Sequence, residues 1–364
     1  MTYYYAEYPT YNDNNTARMV LNAEQRTIIE IINYAFVCGS LVVFGFFSNV
    51  INIIIFLRQG LKTTMNISFF GLAVSDVCNN LCCGVWAFFL NPLVENADWP
   101  VIAREFEYLI SGWPYVYFSR TTTLITAFVT AERCLCITFP LKVKELITPK
   151  RATIVVSSIF FCLMPALIPE YATSYIGWKY YPLKNETRLG LIFTENRKSM
   201  EGLVFMMNAA LGVLSYLLVI SFTVLLIWKL KHNSKWRRRN YQVEIALLRD
   251  KRAMKMVFLI AVILICCSFP SIVLSIVAYL DHDFSVLGLQ SNLFFAMWSF
   301  AFAMGSVFSS VNIILYYNMS SKYRRSFREL FLLCSCRKGI DKNNATSGSR
   351  NHFKPPTLMN LQFD

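Results

Sequence analysis

Residues 111–141 read SGWPYVYFSRTTTLITAFVTAERCLCITFPL, and the reading of this stretch decides the fold. It exceeds the roughly 20 helical residues that cross a hydrocarbon core. Most of it is apolar, yet Arg120 sits where lipid would be deepest and Glu132-Arg133 where the segment would emerge. An arginine at a bilayer centre costs from about 2.5 kcal/mol upward. The segment is therefore either no span at all or a span whose charges have a task.

The flanking sequence chooses between these. Hydrophobic residues make up 55% of the chain and charged residues 16%, against roughly 45–50% and 25% in soluble domains. The excess falls in blocks at 31–57, 66–90, 110–139, 152–172, 201–228, 253–280 and 292–317. Each is near spanning length, and each must be helical because lipid leaves no partner for an open strand. The fold class expected is an all-α membrane protein, a seven-transmembrane helix bundle.

Lysines and arginines set its orientation. With the N-terminus outside, the outer segments hold eight and the inner segments 26, with every inner segment contributing. The net charge of +13 thus belongs to an inner membrane face, not to nucleic acid. The sequons at Asn14 and Asn185 then fall outside as glycosylation candidates, while those at Asn66, Asn318 and Asn344 read as chance. No basic and apolar leader opens the chain, so the first span is expected to direct insertion itself. None of the 11 cysteines falls in the outer segments, and their spacing fits neither a disulfide framework nor a zinc site.

Two formal charges lie deep in the spans, Asp76 and Arg120. No HExxH, Ser/His pair or paired carboxylates occur in the membrane, which removes the residues a membrane hydrolase needs and points away from an enzyme. After the seventh block, Ser320–Leu333 alternates Tyr323, Phe327, Leu330 and Phe331 with Lys322, Arg324, Arg325 and Arg328, a short basic amphipathic helix suited to a membrane surface. Cys334 and Cys336 follow it as palmitoylation candidates. The layout expected is an extracellular segment 1–30, a seven-transmembrane domain 31–317, an amphipathic helix with anchoring cysteines 318–337, and a disordered cytoplasmic tail 338–364.

Short motifs recur on these spans in a definite order. Span one holds Gly45-Phe-Phe-Ser48-Asn49-Val50, and span two Asn66-Ile-Ser-Phe-Phe-Gly-Leu72-Ala73-Val-Ser75-Asp76. Span three ends Glu132-Arg133-Cys134, with Pro140-Leu141 following. Span six holds Cys267-Ser268-Phe269-Pro270 and span seven Asn312-Ile313-Ile314-Leu315-Tyr316. Together these resemble the rhodopsin-like (class A) G-protein-coupled receptors over residues 30–335, and Arg120 through Lys144 is most similar to their molluscan-type chemosensory members.

Several family features are missing. Tyr108 stands where the family places the span-three cysteine of a disulfide, and residues 171–200 contain no cysteine to meet it. The outer loop is then expected to rest on other contacts, with Trp178, Tyr180 and Tyr181 as candidates. Ser268 replaces a tryptophan, and Ile313 replaces a proline whose loss leaves span seven less kinked.

The resemblance implies a plasma-membrane receptor that turns binding of an extracellular ligand into activation of a heterotrimeric G protein. Arg133 resembles the switch residue, with Glu132 and Asp250 as its two ion-pair options. Asn49, Asp76, Thr122, Asn312 and Tyr316 resemble the central polar network, where a sodium ion can sit at Asp76, and Pro270 resembles the span-six hinge. Arg120 lies thirteen residues before Arg133, roughly 20 Å away, near the floor of the family's ligand cavity. Its guanidinium suits a carboxylate; the alternatives are a pair with Asp76 or an anchor to Tyr115 or Ser119. Tyr115, Ser119 and Trp298 are further ligand candidates, Trp298 belonging to an aromatic set with Phe294, Phe295 and Phe302. An amine receptor would carry an acid near Tyr115, and none is there. A neuropeptide receptor of the same fold remains open, and a channel or transporter is the remote alternative.

Overall fold

Backbone polar groups in lipid need partners within the chain, and helices supply them. The computed structural model describes residues 20–95, 97–139, 142–181, 185–233, 241–281, 283–284 and 288–331. Seven long helices form its bundle: α1 (Ala23–Gln59), α2 (Thr64–Leu90), α3 (Trp113–Thr138), α4 (Pro149–Thr173), α5 (Arg197–Asn233), α6 (Tyr241–Leu280) and α7 (Ser291–Met319). An eighth helix, α8, covers residues 321–331. The end where α1, α3, α5 and α7 begin is called upper below.

Local chemistry sets the starts. Asn22 accepts from the Gln25 amide while the Gln25 side chain accepts from the Asn22 amide, a capping box that opens α1 eight residues before the apolar block. The Thr63 and Thr148 hydroxyls cap α2 and α4 singly, accepting from the Asn66 and Arg151 amides. Wider π turns run through Ile31–Cys38 in α1 and Tyr108–Gly112 ahead of α3, and α4 tightens to a 3₁₀ turn at Met164–Leu167, where Pro165 removes a donor.

Six of the helices are long and apolar enough to cross a membrane, with mean hydropathy of 1.4 or more. The seventh, α3, is not among them, and its position explains why. It lies against four of the six, α2, α4, α5 and α6. A helix shielded from lipid can carry hydroxyls, and these satisfy themselves. Thr121, Thr123, Thr126, Thr130 and Thr138 each donate to the carbonyl four residues back. Ile125, Val129, Ile260, Val257 and Val219 close the core around it.

One element departs from the all-helical expectation. Strands β1 (Ser174–Tyr181) and β2 (Glu186–Phe193) pair antiparallel across the upper end, from Ser174↔Phe193 to Tyr181↔Glu186. Asn185, at φ 53°, enters β2 in the left-handed region that asparagine tolerates. The hairpin is stitched to residues 98–105. The Ile102 amide donates to the Leu189 carbonyl at 2.7 Å and the Leu189 amide to the Pro100 carbonyl at 2.8 Å. Lys179 pairs with Glu105 at 2.6 Å, the Leu191 amide donates to the same carboxylate at 2.9 Å, and Arg188 pairs with Asp98. This corrects the expectation for the loop: Trp178 is 62% exposed and Tyr180 52%, so neither holds it down. The Tyr181 side chain lies outside the described residues.

Beneath the hairpin sits a third charge inside the helical layer, which the sequence reading did not count. Glu170, fully buried near the upper end of α4, accepts from Arg197 Nη1 of α5 at 2.7 Å and from Ser174 Oγ at 3.0 Å. Arg197 Nη2 reaches the Tyr108 hydroxyl at 3.4 Å, and the Tyr171 hydroxyl donates to the Leu109 carbonyl at 2.9 Å. The tops of α3, α4 and α5 are thus joined by polar contacts at the very position where the sequence lacks a disulfide.

A second cluster ties α1 to the turn before α3. Glu30, 2% exposed, pairs with Arg26 at 3.1 Å and Arg104 at 3.5 Å, and both guanidinia lie over the Phe295 ring. Phe295 therefore caps a charge cluster and is not lipid-facing. Beside it, burial pushes the Glu107 carboxyl up to about 8, with Arg104 pulling the other way. An acid raised in the folded state keeps its proton while the unfolded chain, near 4.5, has lost it. Stability therefore falls as pH rises through the interval between the two values and levels above about 8. Glu107→Gln is expected to flatten that decline in detergent-solubilised protein followed by thermal unfolding; an unchanged pH profile would remove Glu107 as its source.

Candidate functional site

The midpoint of the bundle holds a cavity of about 30 Å³ lined by Asp76, Ser119, Thr122, Cys267, Ser268 and Ser309, among others. It is large enough for one water. Asp76 is fully buried on α2. Its Oδ2 accepts from Asn312 Nδ2 at 2.7 Å. Its Oδ1 lies 3.0 Å from Thr122 Oγ1, which is also 3.0 Å from Ser75 Oγ. Ser75 donates its own proton to the Phe118 carbonyl, so both Ser75 Oγ and the Asp76 carboxylate face the Thr122 hydroxyl as acceptors. Three of the expected network residues, Asp76, Thr122 and Asn312, are thus in direct contact.

Asn49 joins them through two intermediates, ending on the Asp76 backbone. Its amide donates to the Ser309 carbonyl at 2.7 Å, the Ser309 hydroxyl donates to Asn80 Oδ1 at 2.8 Å, and Asn80 Nδ2 donates to the Asp76 carbonyl at 2.8 Å. The close approach of α1, α2 and α7 here requires Gly45, where a Cβ would stand 2.6 Å from Ser310 Oγ and 2.9 Å from the Asn80 amide. Tyr316 is the exception among the expected members. Its hydroxyl is buried with no partner among the described residues, and its ring packs on Phe56, Phe69 and Tyr323. Ile313 stands where a proline would break α7 beside it, and the helix is continuous past the ring. Asn80, Ser309 and Asn52 were missed because a single polar residue on an apolar helix carries no spacing signal; only their common face with Asp76 or Asn49 could have marked them.

The ligand candidates separate into two groups. Tyr115 and Ser119 line the cavity. Above it Tyr115 meets Trp86 and Phe302, with ring centroids 5.2 and 6.0 Å away, and Trp298 packs on Phe302 at 5.8 Å. Trp298 thus belongs to the same aromatic layer. Arg120 points elsewhere. Its guanidinium carbon lies 5.4 Å from the Tyr216 ring centre on α5, over a position where any Cβ on Gly212 would come within 2.6 Å of it. It pairs with neither Asp76 nor Tyr115 nor Ser119, which corrects those alternatives: the thirteen helical steps and the α3–α5 seam aim it at α5. Its Nε is buried and has no hydrogen-bond partner among the described residues.

At the lower end Glu132, 2% exposed, accepts from Arg133 Nη2 at 2.6 Å and from the Thr64 hydroxyl of α2. Thr64 was not anticipated. Asp250 falls within α6, but its side chain lies outside the described residues, as do Asn14, Cys334 and Cys336. Pro270 sits inside α6, three residues beyond Cys267 and two beyond Ser268 of the cavity wall. Asn185 is exposed at the hairpin turn.

Residues 33–334 match the family described as serpentine type 7TM GPCR chemoreceptor Srw. The growth hormone secretagogue receptor type 1 of Rattus norvegicus is 27% identical over 302 residues, covering 79% of this chain and 77% of that protein. A ring of apolar helices around a polar α3, a buried Asp76–Asn312 contact and Glu132-Arg133 at the lower end of α3 are thus found in a multi-pass membrane protein of receptor type, with an extracellular ligand and a G protein as its partners. The chain belongs to the Srw family of serpentine seven-transmembrane G-protein-coupled chemoreceptors.

Proposed function

We propose that this chemoreceptor sits in the plasma membrane with its N-terminus outside and detects a ligand bearing an acidic group. The observation that carries the ligand class is Arg120. A guanidinium inside a helix bundle normally faces a partner or a wet cavity, and among the described residues no carboxylate pairs with this one. A ligand carboxylate would supply two parallel charge-assisted hydrogen bonds. The loop charges support the orientation, and the exposure of Asn185 supports its glycosylation. The basic face of α8, followed by Cys334 and Cys336, supports contact with membrane lipids and acylation.

The switch on this reading is Arg133, held by Glu132 and released toward the G protein, with Asp250 as the second partner and Pro270 as the hinge. Asp76 fits a sodium ion: among the described residues it is the only formally charged side chain lining the cavity, and Ser119, Thr122 and Ser309 add neutral oxygens. Bound there, the ion would supply positive charge that holds the carboxylate ionised. A peptide ligand is the second reading, favoured by Tyr175, Trp178 and Tyr180, which the hairpin presents to solvent.

Carboxylic acids and short peptides with free C-termini, each paired with its primary amide, provide the test on cells expressing the chain with a promiscuous heterotrimer. An active acid should lose roughly tenfold to a hundredfold in potency against Arg120→Gln, while its amide loses little. Equal losses for acid and amide would return Arg120 to a packing role.

A further inference from the structure

The middle of α3 is shielded by its neighbours on all but one stripe. From Thr121 to Thr130 every residue is buried except Leu124 and Phe128, which are partly exposed. They lie four and eight residues beyond Arg120, itself partly exposed, so the three share one line along the helix. Thr122, which meets Asp76, stands about 200° around the helix from Arg120. The stripe therefore faces away from the central cavity. Its flanks identify the neighbours. The Tyr117 hydroxyl, just above Arg120, donates to the Phe160 carbonyl of α4 at 2.7 Å. The Cys134 thiol, further down α3, donates to the Phe222 carbonyl of α5 at 3.3 Å. The stripe thus runs along the seam between α4 and α5. Those helices meet chiefly through Met164–Leu167 and Ile168–Thr173, at the upper end of α4. Phe160 lies below both segments, so the seam is open at the level of Arg120.

We propose that this seam is a binding site for a long-chain fatty acid arriving from the lipid, its carboxylate on Arg120 and its chain along Leu124 and Phe128. The proposal rests on the reading of Arg120 as the holder of a ligand carboxylate, and it adds the ligand's apolar part and its route. At the head, no carboxylate among the described residues pairs with the guanidinium, and its Nε is buried without a hydrogen-bond partner there. The Tyr216 ring backs it at 5.4 Å, and Gly212 leaves the space it fills. A carboxylate matches it by charge and by a planar pair of hydrogen bonds. Below the head, the path is apolar. Leu124 and Phe128 carry it roughly 12 Å along α3, and Val213 and Leu217 of α5 are exposed apolar side chains beside Gly212 and Tyr216. Depth chooses the molecule. Arg120 lies roughly 20 Å up the helix from Arg133, out of reach of a phospholipid phosphate held at the lower membrane surface. A single-chain acid sheds its charge on protonation and so can enter the hydrocarbon.

The test uses the full-length receptor in phosphatidylcholine nanodiscs with palmitic acid carrying a mid-chain diazirine, and mass spectrometry locates the adducts after irradiation. Adducts are expected on Leu124, Phe128 and the α4 and α5 side chains beside them, competed by palmitic acid and not by palmitamide. Arg120→Gln should lower that labelling roughly tenfold to a hundredfold, the loss expected for charge-assisted hydrogen bonds. Leu124→Trp fills the seam with Arg120 in place and should do the same; Phe128→Trp serves should that variant not fold. Ordinary lipid contact predicts adducts indifferent to Arg120, so unchanged labelling in Arg120→Gln overturns the proposal, as does equal competition by palmitamide. The two readings of Arg120 part in one further result. If a short water-soluble acid loses potency in Arg120→Gln cells while no adducts form at the seam, Arg120 stays a ligand residue and the seam site is overturned.

Discussion

Arg133→Ala is expected to leave a receptor that reaches the surface, binds what the native chain binds, and activates no G protein. The arginine stands at the lower end of α3, roughly 20 Å along the helix from Arg120, so its loss cannot reach the upper half of the bundle directly. Its Nη2 lies 2.6 Å from Glu132 Oε1, and that carboxylate also accepts from Thr64. Thr64 keeps Glu132 partnered when the guanidinium goes, which is why folding should survive. Glu132→Gln is the complementary change. It weakens the hold on Arg133 while leaving the arginine present, and basal nucleotide exchange should rise. Coupling at full strength in Arg133→Ala, with surface expression matched, would take the residue out of the mechanism.

Glu170→Gln should be the most damaging isosteric change in the chain. Glu170 is fully buried and Arg197 nearly so, and removing one member of a buried pair leaves the other charge uncompensated, typically at a cost of about 3–5 kcal/mol. Ser174, Thr173 and Tyr108 meet the same two groups, so the loss spreads to the base of the hairpin and to the top of α3. A lower unfolding temperature and reduced surface expression are the readouts. Reductant supplies the control. Tyr108 and the cysteine-free stretch 171–200 offer no disulfide to break, so the native protein should melt alike with and without it. Native-like melting of Glu170→Gln would show that the hairpin stitching alone, Leu189 and Glu105 included, secures this end.

The spans were legible because lipid demands about 20 apolar residues at a time, and that demand writes itself into composition. α3 was legible as the block 110–139 and through Glu132-Arg133, and its polar character follows from packing against α2, α4, α5 and α6, which relaxes the apolar requirement. The Asp76–Thr122–Asn312 contact followed from family likeness, whereas Asn52, Asn80 and Ser309 did not, because isolated polar residues on apolar helices look alike until the helices are assembled. The hairpin was missed because β1 reads SYIGWKYY, where aromatic residues at no strict alternation signal little. The Glu170–Arg197 pair was missed because its members are 27 residues apart and each lies at a helix end, where charges are common. Arg120 was flagged for the right reason, an intramembrane charge, but its direction depended on which neighbour lacked a side chain, and Gly212 gave no sign of that.

Ile313 in place of proline leaves α7 an uninterrupted helix from Ser291 to Met319, while α6 keeps Pro270. A helix with every interior carbonyl occupied transmits displacement as a stiff rod, and a proline-broken one can fold about a joint. Motion entering α7 at its upper aromatic layer should therefore emerge undiminished at Tyr316 and be handed to α8. Of these two helices the bending is left to α6, a division of labour with one lever and one elbow.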